Sequence, residues 1–279
     1  MKNRIQLGLR IVEALAVILM CHRLNGQTTA GGLIGTYNFN DGNDVGWMRY
    51  QPLAPFGAMD SYSFPVHSAP FGGAYRIEAG LSPDPVTLGF GRAGSFPMDS
   101  FRIAPSLSFY VLGWDNTINQ SFGGLVNVSS LGRGTTDGYA FTYSTAGMLS
   151  ISRIDNDRFT TLTSSALTLD PSVEYRFIFD AAFGGFSGFV FDGRTSALVA
   201  GIGASDSTYS PGTSGLYVFS NVPDGRGDAT FDQFELGNSV PEPSTACLLV
   251  VAAGLLLCWR QMNHAREIKH RKQSGAHVL

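Results

Sequence analysis

Short runs of apolar or alternating residues recur along residues 31–238 of this chain, and glycine, asparagine, aspartate and proline separate them. In residues 175–179, Tyr175, Phe177 and Phe179 fall on one side, while Arg176 and Ile178 fall on the other, which is the period of a β-strand. No ten-residue segment shows the period of an amphipathic helix. The pattern predicts strands at residues 33–39, 74–79, 86–90, 107–114, 122–128, 139–143, 148–154, 174–183, 186–191, 197–202, 216–219 and 230–236.

Three of these strands are predicted to form a meander. Gly184-Gly185 can take the positive φ of a tight hairpin turn, and it joins residues 175–179 to residues 186–191. Asp192-Gly193 then turns the chain into residues 195–203. About a dozen strands without a helix predict an all-β fold, a two-sheet antiparallel sandwich.

The meander, with residues 38–42 near the start and 229–234 near the end, resembles the laminin-G-like or concanavalin-like jelly rolls of bacterial secreted proteins. The resemblance implies a two-sheet antiparallel jelly-roll sandwich over residues 31–238, in which the first and last strands pair. A carbohydrate-binding-type jelly roll with a different strand order is the alternative.

Length and charge limit the interpretation further. The 279 residues are 44% apolar and 15% charged, enough for one sandwich-sized domain with additional end segments. Residues 31–240 contain ten arginines, no lysine and nineteen acidic residues, a formal charge of −9 with histidine neutral. This acidic middle argues against nucleic-acid binding, which requires basic surfaces. Cys21, Cys247 and Cys258 all lie in the end segments, so the sandwich has no disulfide framework.

The N-terminus has the pattern of a secretory signal. Lys2, Arg4 and Arg10 precede an apolar stretch at residues 11–21 that is interrupted only by Glu13. Residues 1–30 are therefore predicted to be a signal peptide helix, cleaved after Ala30 by signal peptidase during passage through the export translocon. Lipid attachment at Cys21 and an ordinary N-terminal helix are the alternatives.

The C-terminus carries three features in a fixed order. The motif consists of Val240, Pro241, Glu242, Pro243 and Ser244. Its prolines keep the chain extended, because each fixes φ and bars the preceding residue from the helical region. A transmembrane helix is predicted at residues 245–259, and the tail at residues 260–279 follows it. The tail's basic stop comprises Arg260, Arg266, Lys269, Arg271 and Lys272. The positive-inside rule places this tail on the cytoplasmic side.

Residues 239–279 resemble a PEP-CTERM sorting signal, and residues 239–272 carry the match. The resemblance implies an exosortase-like membrane enzyme as partner. It also implies an exported protein that is held transiently in the inner membrane before it reaches the cell envelope, outer surface or extracellular matrix.

Candidate ligand sites come from aromatic and acidic residues. Exposed aromatic rings stack against sugar C–H groups, and neighbouring polar groups bind hydroxyls. On this basis Trp47, Tyr50, Trp114, Asp115 and Asn116 are candidate carbohydrate contacts, with exopolysaccharide as the ligand and core packing as the alternative.

A calcium site is also predicted. If the terminal strands pair, Asp41 and Asp232 come close enough for Ca²⁺, which prefers oxygen ligands. A turn-forming Asp41 and a solvent-facing Asp232 are the alternative. Asp155-Asn156-Asp157 joins residues 148–154 to residues 159–162 and has the composition of a loop-tip turn.

Catalysis is not expected. Residues 31–238 contain His67 as their single histidine, no cysteine and three dispersed glutamates. No Ser-His-Asp or zinc-ligand spacing is present. The sequence therefore predicts a non-enzymatic structural or adhesive envelope protein without an obligatory cofactor. The alternative is a carbohydrate-binding module, and a more distant one is a glycoside hydrolase or lyase.

Overall fold

A computed structural model describes residues 33–67, 71–98, 106–182, 184–209, 212–223 and 225–237. The predicted signal helix and the whole predicted sorting segment lie outside these ranges. Within them, no helix is long and apolar enough to span a membrane. Fifteen strands are present in the described ranges: β1 (Leu33–Tyr37), β2 (Trp47–Tyr50), β3 (Ser61–Ser63), β4 (Tyr75–Ala79), β5 (Arg92–Pro97), β6 (Ser106–Gly113), β7 (Gln120–Ser130), β8 (Asp137–Ser144), β9 (Met148–Asp155), β10 (Arg158–Ala166), β11 (Tyr175–Ala182), β12 (Gly185–Asp192), β13 (Leu198–Ser205), β14 (Thr213–Ser220) and β15 (Gly227–Gly237).

The strands form two antiparallel sheets, which confirms the predicted sandwich. The first sheet has the order β13-β12-β11-β6-β15-β4-β3, with β1 also paired to β15. The second sheet has the order β10-β9-β8-β7-β14-β5-β2. Tyr37 of β1 lies opposite Phe234 of β15, so the first and last strands pair as predicted. The β11-β12-β13 meander is also confirmed.

An aromatic core fills the space between the sheets. Alternate residues of each strand point inward, so that Phe109 and Phe177 of the first sheet meet Phe122 and Phe141 of the second, and all four are fully buried. The rings of Phe109 and Phe177 stack with centroids 5.4 Å apart, and the Phe122 ring lies 6.4 Å from that of Phe177. These contacts join the two sheets into one core.

One predicted strand is wrong. Residues 86–90 do not form a strand, because a short helix (Pro85–Leu88) begins there. The side chain of Asp84 accepts hydrogen bonds from the backbone N–H groups of Val86 and Thr87, and Pro85 occupies the first helical position, where its missing N–H costs nothing. A 3₁₀ helix (Ala54–Phe56) is the other short helical element described.

Three strands were not predicted, namely β2, β3 and β5, and β10 was predicted only as the segment 159–162 that follows the turn at residues 155–157. β2 and β3 have four and three residues, too few for a period to be visible. Every residue of β5 is buried, although the strand contains glycine, serine and proline. β10 is exposed or half-buried along its whole length and so has no apolar face. In each case the pairing depends on a partner strand and not on local pattern.

The prediction that Trp47, Tyr50 and Trp114 are exposed sugar platforms is wrong, because all three are at most 7% exposed. The ring of Trp47 packs against Phe39 and Phe234 of the core. Trp114 lies 5.1 Å from the Phe122 ring. These residues pack in the core because aromatic rings bury a large apolar surface, which is unfavourable to leave in water.

Replacing Trp114 with alanine is expected to lower the free energy of unfolding by about 3–5 kcal/mol, since it leaves a large cavity in a close-packed core. Urea denaturation followed by circular dichroism measures the change. The matched control is Val45→Ala, because Val45 is 87% exposed and its truncation should change stability by less than about 0.5 kcal/mol. Equal stability of the two variants would contradict the core position of Trp114.

Candidate functional site

A groove of about 790 Å³ crosses the outer face of the second sheet. It is lined by the side chains that alternate with the core residues. In β8, for example, Phe141 and Tyr143 are core residues, whereas Thr142 and Ser144 line the groove. The volume is within the range of about 300–1,000 Å³ that small-molecule sites occupy.

The floor of the groove is a row of small hydroxyl side chains on adjacent strands. Thr142 of β8 lies opposite Ser150 of β9, and Ser152 of β9 lies opposite Thr161 of β10. Among the residues that the structure describes, none forms a hydrogen bond with these four hydroxyls. The row therefore offers donors and acceptors to a molecule in the groove.

One end of the floor carries an amide and hydroxyl network. The amide nitrogen of Asn221 donates to the side-chain oxygen of Asn119 over 3.1 Å and to the hydroxyl of Ser144 over 3.0 Å. The Ser121 hydroxyl donates to the amide oxygen of Asn221 over 3.0 Å. These bonds fix the orientation of polar groups that also line the groove.

The aromatic part of the groove consists of Phe159, Tyr217 and Phe219. The rings of Phe159 and Phe219 stack with centroids 4.9 Å apart, and Tyr217 lies 5.5 Å from Phe219. Tyr217 is buried beneath the other two, while Phe159 remains 37% exposed. Phe90, 40% exposed, adds a fourth ring to the lining. Ring surface is thus available beside the hydroxyl row.

The contact between Phe159 and Phe219 requires strong bending of the sheet. Phe159 lies on edge strand β10, and β9, β8 and β7 separate that strand from the β14 strand of Phe219. Four strand spacings in a flat sheet would span about 19 Å. The tip of the β9–β10 hairpin must therefore fold over the outer face. Asn156 and Asp157 form the tip with φ of 52° and 66°, which confirms the predicted turn.

Asp157 fastens this hairpin tip to the rest of the sheet. Its carboxylate accepts a hydrogen bond from Nη2 of Arg92 over 2.7 Å and a further short one from the backbone N–H of Gly134. The backbone N–H of Asp157 donates to the carbonyl oxygen of Thr136 over 2.9 Å. Arg92 and Asp157 are 10% and 14% exposed, so their ion pair is screened little by solvent.

Tyr50 holds the loop that meets Asp157. Its hydroxyl lies 2.6 Å from that of Thr136 and donates to the carbonyl oxygen of Gly132 over 3.2 Å. Burial raises the pKa of Tyr50, which keeps the phenol neutral and able to donate. Tyr50 therefore positions one wall of the groove from beneath, instead of presenting its ring to a ligand.

The other two predicted carbohydrate contacts lie in a turn. Asp115 accepts hydrogen bonds from the backbone N–H and hydroxyl of Thr117 over 2.8 and 2.6 Å, which lower the pKa of its carboxyl. Asn116 accepts from the indole N–H of Trp114 over 3.4 Å. Neither belongs to the groove lining.

Sequence reasoning missed the groove itself. The signal that could have found it is the set of serine and threonine residues that alternate with apolar core residues in β8 and β9, at Thr142, Ser150 and Ser152. Small hydroxyl side chains on one face of neighbouring strands leave space above a sheet. The position of Phe159 over this space has no comparable signal.

The two residues of the predicted calcium site occupy different environments. Asp41 is exposed in a turn and accepts from the backbone N–H of Asn43 over 3.4 Å. Asp232 is fully buried, and its Oδ2 has no hydrogen-bond partner in the described part of the chain. No group of three or more His, Cys, Asp or Glu side chains suited to a metal ion occurs in that part. Calcium binding stays a prediction.

Comparison with known proteins identifies the fold but no family. No protein-family model matches the sequence, and a search of curated proteins gives no significant match. Among solved structures, the GlcNAcα1-4Gal-releasing endo-β-galactosidase of Clostridium perfringens has a TM-score of 0.53 at 11% identity, covering 77% of this chain and 63% of that chain. The fold is a jelly-roll sandwich.

Two further solved structures are similar at lower scores. The Bacillus licheniformis β-glucanase gives a TM-score of 0.49 at 13% identity, covering 75% of this chain and 99% of that one. The carbohydrate binding module CBM66 of Bacillus subtilis gives 0.45 at 13% identity, covering 68% of this chain and 95% of that one.

The buried Asp232 generates a prediction about pH. Burial raises the pKa of its carboxyl to about 7, although the Gln233 backbone N–H donates to it over 2.7 Å. An unfolded aspartate has a pKa of about 3.9, so between about pH 4 and 7 the folded state holds a proton that the unfolded state has lost. Folding stability is therefore expected to fall as pH rises through this window.

Asp232→Asn, which mimics the neutral acid, should remove this component of the pH dependence. We expect the variant to match the parent near pH 4 and to exceed its free energy of unfolding by on the order of 2–4 kcal/mol near pH 8. Urea unfolding across this range gives the difference. Parallel curves for the two proteins would show that Asp232 is ionised in the folded state throughout.

Proposed function

We propose that this protein binds carbohydrate in the groove of the second sheet. The observation that carries the proposal is the juxtaposition of a 37%-exposed ring, Phe159, with a row of hydroxyls that have no hydrogen-bond partner among the described residues. This interpretation replaces Trp47, Tyr50 and Trp114 with a different set of contacts. It also makes carbohydrate binding, the alternative from the sequence, the principal function.

The arrangement suits the two-sided chemistry of a sugar ring. The C–H faces of a pyranose are apolar and pack on aromatic rings, whereas its rim carries hydroxyls that both donate and accept hydrogen bonds. Thr142, Ser150 and Ser152 supply hydroxyls with the same dual capacity. The groove is open along the sheet, so a chain of sugar units is a better fit than a small isolated ligand.

One solved structure with this fold supports the same class of ligand. The Clostridium perfringens protein with the jelly-roll fold is named as a galactosidase. At 11% identity that likeness concerns the fold, and this chain spans 63% of that protein. It makes polysaccharide the first ligand class to test, while the groove residues of this chain carry the proposal.

The groove chemistry favours binding without hydrolysis. Glycosidases use two carboxyl groups about 5–9.5 Å apart on either side of the scissile bond. Asp157 is the one carboxylate among the described lining residues, and its ion pair with Arg92 commits it to holding the hairpin. We therefore propose a binding protein rather than a glycoside hydrolase or lyase.

Phe159→Ala is expected to raise the dissociation constant for a bound polysaccharide about tenfold, because it removes the exposed stacking face, worth on the order of 1–1.5 kcal/mol. Affinity electrophoresis in gels containing individual polysaccharides measures the effect and identifies the ligand class.

The matched control is Phe189→Ala. Phe189 is a half-buried phenylalanine on β12 of the first sheet, and its nearest described ring partner is Phe191 at 6.3 Å. Truncation there should leave binding unchanged. Equal losses in the two variants, with the fold intact by circular dichroism, would place the binding site elsewhere.

We also propose that the N-terminal segment of the protein directs its export and that the C-terminal segment is a sorting signal. The support is the order of segments in the sequence, with a basic and apolar N-terminus, then Pro241-Glu242-Pro243, an apolar stretch and the basic cluster from Arg260 to Lys272. In this proposal, signal peptidase removes residues 1–30, and an exosortase-like enzyme recognises the Pro-Glu-Pro motif.

The mass of the protein isolated from its native host tests this processing. We expect a species that begins near Gly31 and ends near Pro243, because both end segments serve as removable signals. Glu242→Ala should leave the N-terminal cleavage intact and retain the basic tail. An intact tail in the unaltered protein would indicate a permanent anchor instead of a sorting signal.

A further inference from the structure

The charge of the groove differs in sign from the charge of the sandwich around it. The described residues include nine arginines and seventeen acidic residues, so the sandwich as a whole is acidic. The described lining of the groove, in contrast, contains Arg92, Arg133, Arg158 and a single carboxylate, that of Asp157. The groove is thus a local basic site on an acidic molecule.

Two of the lining arginines have no carboxylate partner among the residues that the structure describes. Six of the nine described arginines form ion pairs with described carboxylates, whereas Arg133, Arg158 and Arg226 form none with them. Of these three, Arg133 and Arg158 line the groove. An acidic protein offers many carboxylates with which an arginine could pair. Because two unpaired arginines nevertheless lie in the groove, we infer that a ligand supplies the negative charge there.

The contact at Asp157 brings these two arginines together. The backbone N–H of Gly134 donates to the Asp157 carboxylate, so Arg133 and Arg158 each stand one residue from the same contact. Arg92 donates to that carboxylate as well. Arg92 thus neutralises the Asp157 carboxylate, and Arg133 and Arg158, which line the same groove, leave it with an excess of two positive charges.

The surroundings do not cancel this excess. Two carboxylates near the hairpin tip lie outside the described groove lining: Asp137 accepts from the backbone N–H of Asn156 over 2.7 Å, and Asp155 pairs with Arg153 over 2.8 Å. The Arg133 guanidinium lies 4.8 Å over the ring of Phe56, which orients it while leaving its charge unpaired.

We infer that the ligand of the groove is an acidic polysaccharide whose carboxylate groups pair with Arg133 and Arg158; this inference rests on the proposed carbohydrate binding. Guanidinium groups pair with carboxylates through two parallel hydrogen bonds, which are stronger than the bonds that neutral sugar hydroxyls form. Arg158 and Phe159 both line the groove, so a uronate ring that packs on the phenylalanine lies in the same groove as this guanidinium.

The test compares polysaccharides that differ only in charge. The full-length protein, purified in a mild detergent, is titrated with polygalacturonate, alginate and hyaluronate, and with the carboxyl-reduced form of each. We expect at least one acidic polymer to bind about tenfold or more tightly than its reduced form, because a charge-assisted pair is lost on reduction. The preference should shrink when salt is raised from about 0.05 to 0.5 M.

Arg133→Gln combined with Arg158→Gln should reduce this preference, the ratio of the two dissociation constants, to about one. Arg226→Gln is the matched control, since Arg226 also lacks a carboxylate partner among the described residues but does not line the groove. It should behave like the parent protein. Persistence of the full preference in the double variant would overturn the inference.

The remaining outcomes separate the inference from the proposed function. Equal binding of acidic and reduced polymers, lost in Phe159→Ala, would retain the carbohydrate site and reject the acidic ligand. Failure of every polymer to bind would reject both. Single-stranded DNA that binds as tightly as the acidic polymers would show general anion attraction and would also overturn the inference.

Discussion

The closure of two sheets around a shared aromatic core is the constraint on which the rest of the structure depends. The fully buried rings of Phe109, Phe122, Phe141 and Phe177 come from both sheets, so neither sheet buries its apolar face without the other. The three cysteines of the chain lie outside the described residues. Packing of these rings, together with the strand ladders, is what holds the described sandwich together.

The groove exists because the two faces of the second sheet carry side chains of different size. Its inward residues are bulky, whereas Thr142, Ser150 and Ser152 on its outer face are small, so the space above the sheet stays open. Bending of the β9–β10 hairpin then brings Phe159 to the edge of that space. The buried Arg92–Asp157 pair holds the hairpin tip in this position. Loss of either partner would leave an uncompensated charge in a poorly solvated environment.

Local pattern was sufficient to predict the sandwich and the β11–β13 meander, because inward and outward residues alternate in most strands and glycine marks both turns of the meander. It also predicted the pairing of the terminal strands through the resemblance to jelly rolls. The same reasoning failed for Trp47 and Trp114, since a sequence shows that a ring is large but not which side of a strand the core occupies. It found only residues 159–162 of β10, because a strand that is exposed or half-buried along its whole length has no clear apolar period.

The groove could not be predicted because its determinants are distant in sequence. Asp157 was recognised as part of a turn, yet its partner Arg92 is 65 residues away, and the stacking partner of Phe159 lies on β14. Tyr50 shows the same limitation. Tyr50 positions one wall of the groove through hydrogen bonds to Gly132 and Thr136, which lie more than 80 residues further along the chain.

The distribution of charge connects the fold to its proposed ligand. A jelly roll with a net negative surface repels acidic polymers over most of its area, and that repulsion weakens within about 10 Å at moderate salt. A polymer that reaches the groove can pair with Arg133 and Arg158. The one carboxylate among the described lining residues, that of Asp157, does not compete with it because Arg92 already neutralises it. An acidic exterior and a basic groove together restrict binding to one face, so that selectivity arises from where the arginines are left unpaired and not from the net charge of the protein.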